Sequence, residues 1–211
     1  ADYFPQVRYG LPNAPGCFYR FEWGDVEFFM LDDRTYRSPN KLTPSPEKRM
    51  LGTAQMEWLK HSLKSSNATF KIIACGGQMI NPMVYFEGFG LFPHEQQELL
   101  EFIVRERITG VVFLSGDRHF GELLKVQREG CYPFYELTAS PLTAGPVNGH
   151  PDEANNPARV PDTWVRGMRQ FGLIRVLGKR GERRLVLSLC DKDGKPLFEH
   201  TITEAELRWQ N

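Results

Sequence analysis

The sequence has little of what usually marks a membrane protein, a disulfide scaffold or a nucleic-acid-binding protein. Its apolar runs are far shorter than the roughly 20 residues that cross a bilayer, so no transmembrane segment is expected. The 26 basic residues balance the 26 acidic ones, which argues against specific nucleic-acid binding. No CxxC spacing is present, so neither a zinc knuckle nor a disulfide framework is supported. The four cysteines are Cys17, Cys75, Cys131 and Cys190.

The sequence also lacks a serine nucleophile motif and any periodic element in its first residues. Neither Ser115 nor Ser140 lies in a Gly-x-Ser-x-Gly pattern, so a serine nucleophile elbow is not indicated. Residues 1–17 carry several prolines and glycines with no periodic element, and we expect a loop-like lead-in there. Such a beginning is typical of a cut or processed site rather than of the natural start of a fold.

Hydrophobic patterning predicts an α/β fold in a single domain. Residues 26–114 alternate strand, helix, strand, helix and strand, an order typical of two βαβ units with parallel strands. Residues 120–203 contain short alternating strands separated by turns, and these are expected to be antiparallel. Thr53 is predicted to be the N-cap of the first helix. The predicted strands are 18–23, 26–31, 70–75, 111–114, 122–126, 134–138, 171–177, 184–190 and 197–203, and the predicted helices are 53–65 and 94–108.

The most informative segment is the apolar strand 111–114 and the polar residues that follow it. Ser-Gly ends the strand and is followed by Asp117 and His119, two residues apart. In α/β sheets, ligands bind beyond the carboxyl ends of the strands. Carboxylate and imidazole suit metal ions such as zinc, manganese, iron or calcium. A structural interpretation, in which Asp117 caps a turn and His119 packs at the sheet edge, is nearly as well supported.

Polar clusters follow three of the predicted parallel strands. The first contains Asp32, Asp33 and Arg34, and the second contains Gln78 and Asn81. The third contains Asp117, Arg118 and His119, and all three clusters should meet at one sheet edge. Because guanidinium groups match phosphate oxygens, the arginines are candidate phosphate contacts, although each alone is more often structural. These arginines are Arg34, Arg37 and Arg118.

Several segments in order resemble the PhoD-like alkaline phosphatase and phosphodiesterase family, within the calcineurin-like metallophosphatase superfamily. The resemblance extends from about residue 18 to the C-terminus. The segment 28–37 resembles an FxMLDxRxYR signature, and 51–59 resembles an LGxxQxxWL helix. Gly77-Gln78 is similar to the loop that precedes the late metal motif. The last two similarities are 114–119 with an LSGDxH motif and 136–142 with an ELTxSPL segment.

This resemblance implies a metallophosphatase-like layered α/β sandwich and an exported enzyme, either periplasmic, secreted or at the cell surface. It implies hydrolysis of phosphate esters by metal-activated water at a two-metal site, with calcium, iron, manganese or zinc. Asp117 and His119 would be metal ligands, and His119 could alternatively protonate the leaving oxygen. Gln78 occupies the place where related enzymes carry a metal-binding histidine, with Asn81 nearby, and Gln78 could alternatively orient the substrate. The substrate would be a small-molecule phosphate ester or a phospholipid-like molecule.

The family's early metal motifs, of the GDxxD and Asn/Asp-His-Asp/Glu types, are absent from this sequence. The resemblance therefore implies that the N-terminal half of the fold is missing and that residues outside this chain complete the site. A companion N-terminal polypeptide is the expected partner. The alternative is a non-catalytic binding domain that keeps the fold without a complete metal site. The presence of Asp32, Asp33, Arg34, Arg37, Asp117 and His119 together favours the enzyme.

Overall fold

A computed structural model describes residues 9–209, so residues 1–8 of the predicted lead-in and residues 210–211 lie outside the described part. The elements agree closely with the predicted ones. Neither α-helix in residues 9–209 has the length and apolar character needed to cross a membrane. The strands are β1 (Tyr19–Trp23), β2 (Val26–Met30), β3 (Phe70–Ala74), β4 (Val111–Ser115), β5 (Glu122–Val126), β6 (Phe134–Thr138), β7 (Gln170–Leu177), β8 (Arg184–Asp191) and β9 (Pro196–Thr203), and the α-helices are α1 (Thr53–Ser65) and α2 (Pro93–Arg105).

Six strands form one mixed sheet in the order β1-β2-β3-β4-β6-β5. The strands β2, β3, β4 and β6 are parallel neighbours, while the edge strands β1 and β5 are antiparallel to theirs. The predicted parallel units within 26–114 are therefore confirmed, with α1 and α2 as the crossovers. The predicted antiparallel arrangement is confirmed for the β5–β6 pair. One feature was not anticipated: β6 also lies parallel to β4, because the chain reverses after β4, runs out to the edge as β5 and returns.

The remaining strands form a second, antiparallel sheet in the order β7-β8-β9. Its central strand carries Leu185, Leu187 and Leu189, which are completely buried. They belong to the same hydrophobic cluster as residues of both helices and of the first sheet. Burying one such leucine stabilises the fold by about 1.5–3 kcal/mol. One continuous core therefore joins the two sheets and the helices.

The start of α1 differs from the prediction and shows how the helix is fixed near the sheet. Gly52, not Thr53, is the N-cap residue, and no side chain caps the helix, so the prediction of Thr53 was wrong. Gly52 has φ 77°, a left-handed conformation that favours glycine. From within α1, Gln55 accepts a hydrogen bond from the backbone N–H of Asp32 and donates one to its carbonyl, both at 2.8 Å. The helix thereby holds the chain immediately after β2.

Backbone hydrogen bonds continue the parallel register beyond the ends of the strands. The N–H of Leu31 donates to Ala74 at 2.8 Å, and the N–H of Cys75 donates to Leu114 at 3.0 Å. The N–H of Gly116 then donates to Gly76 at 3.0 Å. The segments that follow β2, β3 and β4 therefore lie side by side at one edge, as the sequence predicts.

Candidate active site

The turn after β4 projects Asp117 outward. Asp117 has φ 64° and His119 has φ 56°, which is uncommon for residues other than glycine. The N–H of Arg118 between them donates to the Gly116 carbonyl at 2.7 Å, closing a tight turn. Asp117 is exposed, and no hydrogen bond or ion pair to its carboxylate is seen within residues 9–209. Such strained residues often occur at functional sites.

Arg118 points into the protein, opposite to Asp117, and its contacts hold the turn in place. Its side chain is only 5% exposed, donates to Gln78 Oε1 at 2.9 Å and forms a buried ion pair with Glu153. Its guanidinium also lies 4.9 Å from the centre of the Phe120 ring. Arg118 therefore anchors the turn from the inside, and the predicted phosphate contact would require this ion pair to open.

The hydrogen bonding of His119 determines which ring nitrogen is available. Its Nδ1 lies 2.6 Å from the carbonyl oxygen of Gly145. Because a carbonyl oxygen can only accept, Nδ1 carries a hydrogen, and in the neutral imidazole Nε2 is then the nitrogen with a lone pair. Histidines that ligate metals commonly donate their other N–H to a backbone carbonyl in this way. The loop that supplies the carbonyl is held in place by a second bond, from Val147 N–H to the His119 carbonyl at 3.0 Å.

Gln78 and Asn81 belong to an internal hydrogen-bond network. The Gln78 amide donates to Glu122 at 2.7 Å and to Thr138 at 2.8 Å. Its oxygen accepts from Asn81 at 2.7 Å and from Arg118. The oxygen of Asn81 likewise accepts from Met83 N–H and from the Asn156 side chain. A metal-ligand role for either residue would require this network to rearrange.

Arg34 is the arginine best placed to reach a ligand. Its side chain is 58% exposed and forms an ion pair with Glu87 at 2.9 Å. The hydrogen bond with Glu87 is the main cause that raises the pKa of Arg34, and the charges of Asp33 and Asp117 add to it. Arg37 is much less accessible, because its guanidinium packs over Phe92 at 5.1 Å. Arg34 therefore lies near enough to Asp117 for the two charges to interact, although they form no ion pair within residues 9–209.

The two carboxylates after β2 have different environments. Asp32 accepts hydrogen bonds from Cys17, Arg34 and Thr35. Burial raises the pKa of Asp32, but these hydrogen bonds outweigh burial, and the pKa lies below its ordinary value. Asp32 is thus a structural residue of the turn.

Asp33 is the residue whose role the sequence left open. Its Oδ2 is buried and has no hydrogen-bond partner within residues 9–209. The guanidinium of Arg37 lies 4.0 Å from Oδ2, and that of Arg34 lies 3.6 Å from Oδ1. The carboxylate lies against Gly76, where an added Cβ would be 2.8 Å from Oδ2. A buried carboxylate oxygen without a donor is a candidate ligand atom. The only sequence signal was the pair of aspartates at the end of a buried strand.

A pocket of about 330 Å³ lies beside Asp117 and His119. Its other lining residues come from the loops that follow β3 and β6 and from the turn itself. Most of the lining is apolar, so the two polar side chains stand at the border of an apolar surface. The lining residues are Phe86, Asp117, Arg118, His119, Phe120, Val147 and Gly149.

The chemistry of the donor atoms fits a metal ion only in part. Asp117 offers an unpaired carboxylate and His119 offers Nε2, both suitable ligands. Within residues 9–209, however, no group of three or more histidine, cysteine, aspartate or glutamate residues is arranged to hold a metal ion. The described residues would therefore supply at most part of a ligand set.

Known proteins similar to this chain identify its family. Alkaline phosphatase D of Bacillus subtilis (strain 168) is 27% identical over 139 residues, which covers 56% of this chain and 24% of that protein. A solved structure titled "Structure of PhoD" superposes with a TM-score of 0.67 at 19% identity, covering 95% of this chain and 47% of that one. The chain thus spans less than half the length of either protein. The sequence model of the PhoD-like phosphatase family matches residues 1–185, and the chain belongs to that family.

Proposed function

We propose that this chain supplies one side of the active site of a metal-dependent phosphoesterase. The observation that carries the proposal is the turn at 116–119. It presents His119 Nε2 and a carboxylate that has no hydrogen bond or ion pair among residues 9–209 beside a pocket. Membership of the PhoD-like phosphatase family supports the reaction type. In the reaction, a water oxygen bonds to phosphorus, the ester P–O bond breaks, and the departing alcohol oxygen takes up a proton.

Asp117 and His119 are the residues of this chain that would hold a metal ion. Divalent or trivalent ions at such a site, two of them by the resemblance, would activate water and neutralise the charge on the phosphoryl group. We propose that the further ligands come from residues outside the described part of the chain, with Asp33 as an additional candidate within it. An N-terminal companion polypeptide of the same enzyme is the proposed source.

The side chains have separate roles in this proposal. His119 Nε2 can ligate a metal ion or accept a proton, and it can donate to the leaving oxygen only after it has been protonated. Arg34 can turn from Glu87 toward a phosphate oxygen, because its side chain is exposed and the contact is an ion pair near the surface. Asp117 would orient the metal ion or the phosphate ester that binds at the mouth of the pocket. We further propose, from the resemblance alone, that the enzyme acts after export.

The test compares three asparagine variants, each made in the protein as the cell produces it. Asp117→Asn and His119→Asn keep a side chain that tolerates a left-handed backbone. We expect kcat/KM for phosphate esters to fall by on the order of 10²–10⁴ in each. Asp162→Asn is the matched control, because Asp162 is also exposed, has φ 60° and lies outside the pocket. It should retain the parental activity.

Elemental analysis of the same samples tests the metal. Bound metal in the parent and in the Asp162→Asn control, with loss in Asp117→Asn, would support the ligand role. A folded parent protein that neither binds metal nor hydrolyses phosphomonoesters or phosphodiesters would instead indicate a non-catalytic binding domain.

A further inference from the structure

The geometry points to a binding role for the pocket beside Asp117 and His119: it binds the apolar organic group of the phosphate ester. The expected substrate class is a phosphate ester of an aromatic or similarly apolar alcohol. This inference rests on the proposed phosphoesterase function and adds the substrate class to it.

The pocket combines two kinds of surface. Asp117 and His119 form a polar side, while the exposed side chains of Phe86 and Val147 form an apolar side that is backed by the buried Phe120. The one charged residue in the apolar part is Arg118, and its guanidinium is already paired with Glu153 inside the protein. A ligand with a charged phosphate at one end and an apolar group at the other matches both surfaces.

Phe86 is held at the pocket although its position is unfavourable in two respects. Its side chain is 79% exposed, and its φ of 62° is rare for a bulky residue. The preceding Tyr85 stacks on His150 at 4.1 Å and donates to Asp152 at 2.9 Å. The following Glu87 is paired with Arg34. Because both neighbours are anchored, the aromatic ring is presented to solvent at the pocket, where an apolar ligand group would cover it.

The opposite wall is closely packed. An added Cβ on Gly149 would lie 3.0 Å from Trp164 and 3.2 Å from Phe120. Trp164 itself meets the Phe120 ring edge-on at 6.0 Å and is covered by the guanidinium of Arg166 at 3.9 Å. The pocket therefore has a preformed wall, and preformed apolar pockets bind with a smaller ordering cost.

The experiment measures selectivity of the naturally expressed protein between 1-naphthyl phosphate and glycerol phosphate. The parent should show the higher kcat/KM for naphthyl phosphate. Phe86→Ala should lower the ratio of the two values roughly tenfold, the scale by which an apolar contact changes kcat/KM. Val147→Ser, which removes apolar surface elsewhere in the pocket, should lower it in the same direction. Trp23→Ala is the matched control, because Trp23 is equally exposed, at 79%, but lies on the edge strand β1.

Binding by calorimetry provides the second readout and separates the two hypotheses. Phenylphosphonate should bind the parent more tightly than methylphosphonate does, and Phe86→Ala should remove the difference. Hydrolysis of both esters with an unchanged ratio in Phe86→Ala and Val147→Ser would overturn the apolar subsite and leave the phosphoesterase function standing. If the parent hydrolyses neither ester, the proposed function fails. Equal binding of the two phosphonates would then overturn the subsite as well.

Discussion

At the level of single residues, Gly76 allows the carboxylate of Asp33 to approach the end of β3. The absence of a side chain leaves room for a carboxylate oxygen that has no hydrogen-bond donor within the described residues. Any side chain at this position would have to displace either the carboxylate or the strand end. The glycine thus determines the position of a candidate ligand atom.

Gly76→Ala should therefore destabilise the protein by about 1–3 kcal/mol, because the new methyl group would overlap Asp33 Oδ2. Gly77→Ala is the control, since the nearest atom to its Cβ would be at 3.7 Å, an ordinary contact. Urea unfolding of both variants measures the difference. If Asp33 is a ligand atom, Gly76→Ala should also lose more bound metal than Gly77→Ala. Equal stability of the two variants would contradict the close approach.

The turn residues Asp117, Arg118 and His119 show how far the sequence predicts the position of a single side chain. The position of Asp117 and His119 follows from a buried strand that ends in Ser-Gly, and the sequence was sufficient for it. The inward turn of Arg118 depends on Glu153, which is 35 residues away along the chain. Gln78 is likewise held by Glu122 and Thr138, 44 and 60 residues away. No local sequence pattern indicates partners at such distances along the chain. The sequence alone therefore could not show whether Arg118 and Gln78 are structural residues or contact a ligand.

At the level of elements, the loop after β3 is fastened to β6 by one buried carboxylate. Glu136 accepts the backbone N–H groups of Met79 at 2.7 Å and Ile80 at 2.9 Å. Burial raises the pKa of Glu136 from 4.5 to about 7, although these hydrogen bonds act in the opposite direction. The loop that carries Gln78 is thus held by a group that titrates near neutral pH.

This titration should make stability depend on pH. Between about pH 4.5 and 7, the folded protein retains a proton on Glu136 that the unfolded chain releases. The free energy of unfolding should therefore fall as pH rises through this range. Urea unfolding at several pH values measures the slope, and Glu136→Gln should reduce it. Glu101→Gln, at an exposed position on α2, is the control and should keep the parental slope. A slope unchanged by Glu136→Gln would contradict the assignment.

At the level of the whole molecule, the second sheet contributes its central strand to the common core. Leu187 of β8 is completely buried, whereas Leu173 of the neighbouring β7 is 42% exposed. Replacing leucine with alanine should therefore change the free energy of unfolding by different amounts at the two positions. The comparison tests whether the two sheets share one cooperative core.

Leu187→Ala should lower the free energy of unfolding by about 2–5 kcal/mol, because it leaves a cavity in the core. Leu173→Ala should change it by no more than about 0.5 kcal/mol if the exposed position behaves as an ordinary surface site. Denaturant unfolding followed by tryptophan fluorescence measures both. A small effect of Leu187→Ala would mean that the second sheet packs loosely on the first.

The overall architecture was largely predictable, and the exception has a physical reason. Local periodicity identifies individual strands and helices, and the order of strand and helix in 26–114 implies parallel pairing. The insertion of β6 between β4 and β5 depends on which strands pair over long separations. That choice is made by the packing of the complete sheet, and short alternating strands carry no signal of it.

The hydrogen bonds that join the ends of β2, β3 and β4 have a consequence for how family members can vary. Leu31, Cys75 and Gly116 each donate a backbone N–H to the neighbouring segment, which fastens the three ends at a fixed spacing. Insertions or deletions in the connecting loops can then be absorbed without moving Asp33 relative to Asp117. The length of the loops and the spacing of these candidate site residues are thereby separated, so the loops can vary while the spacing stays the same.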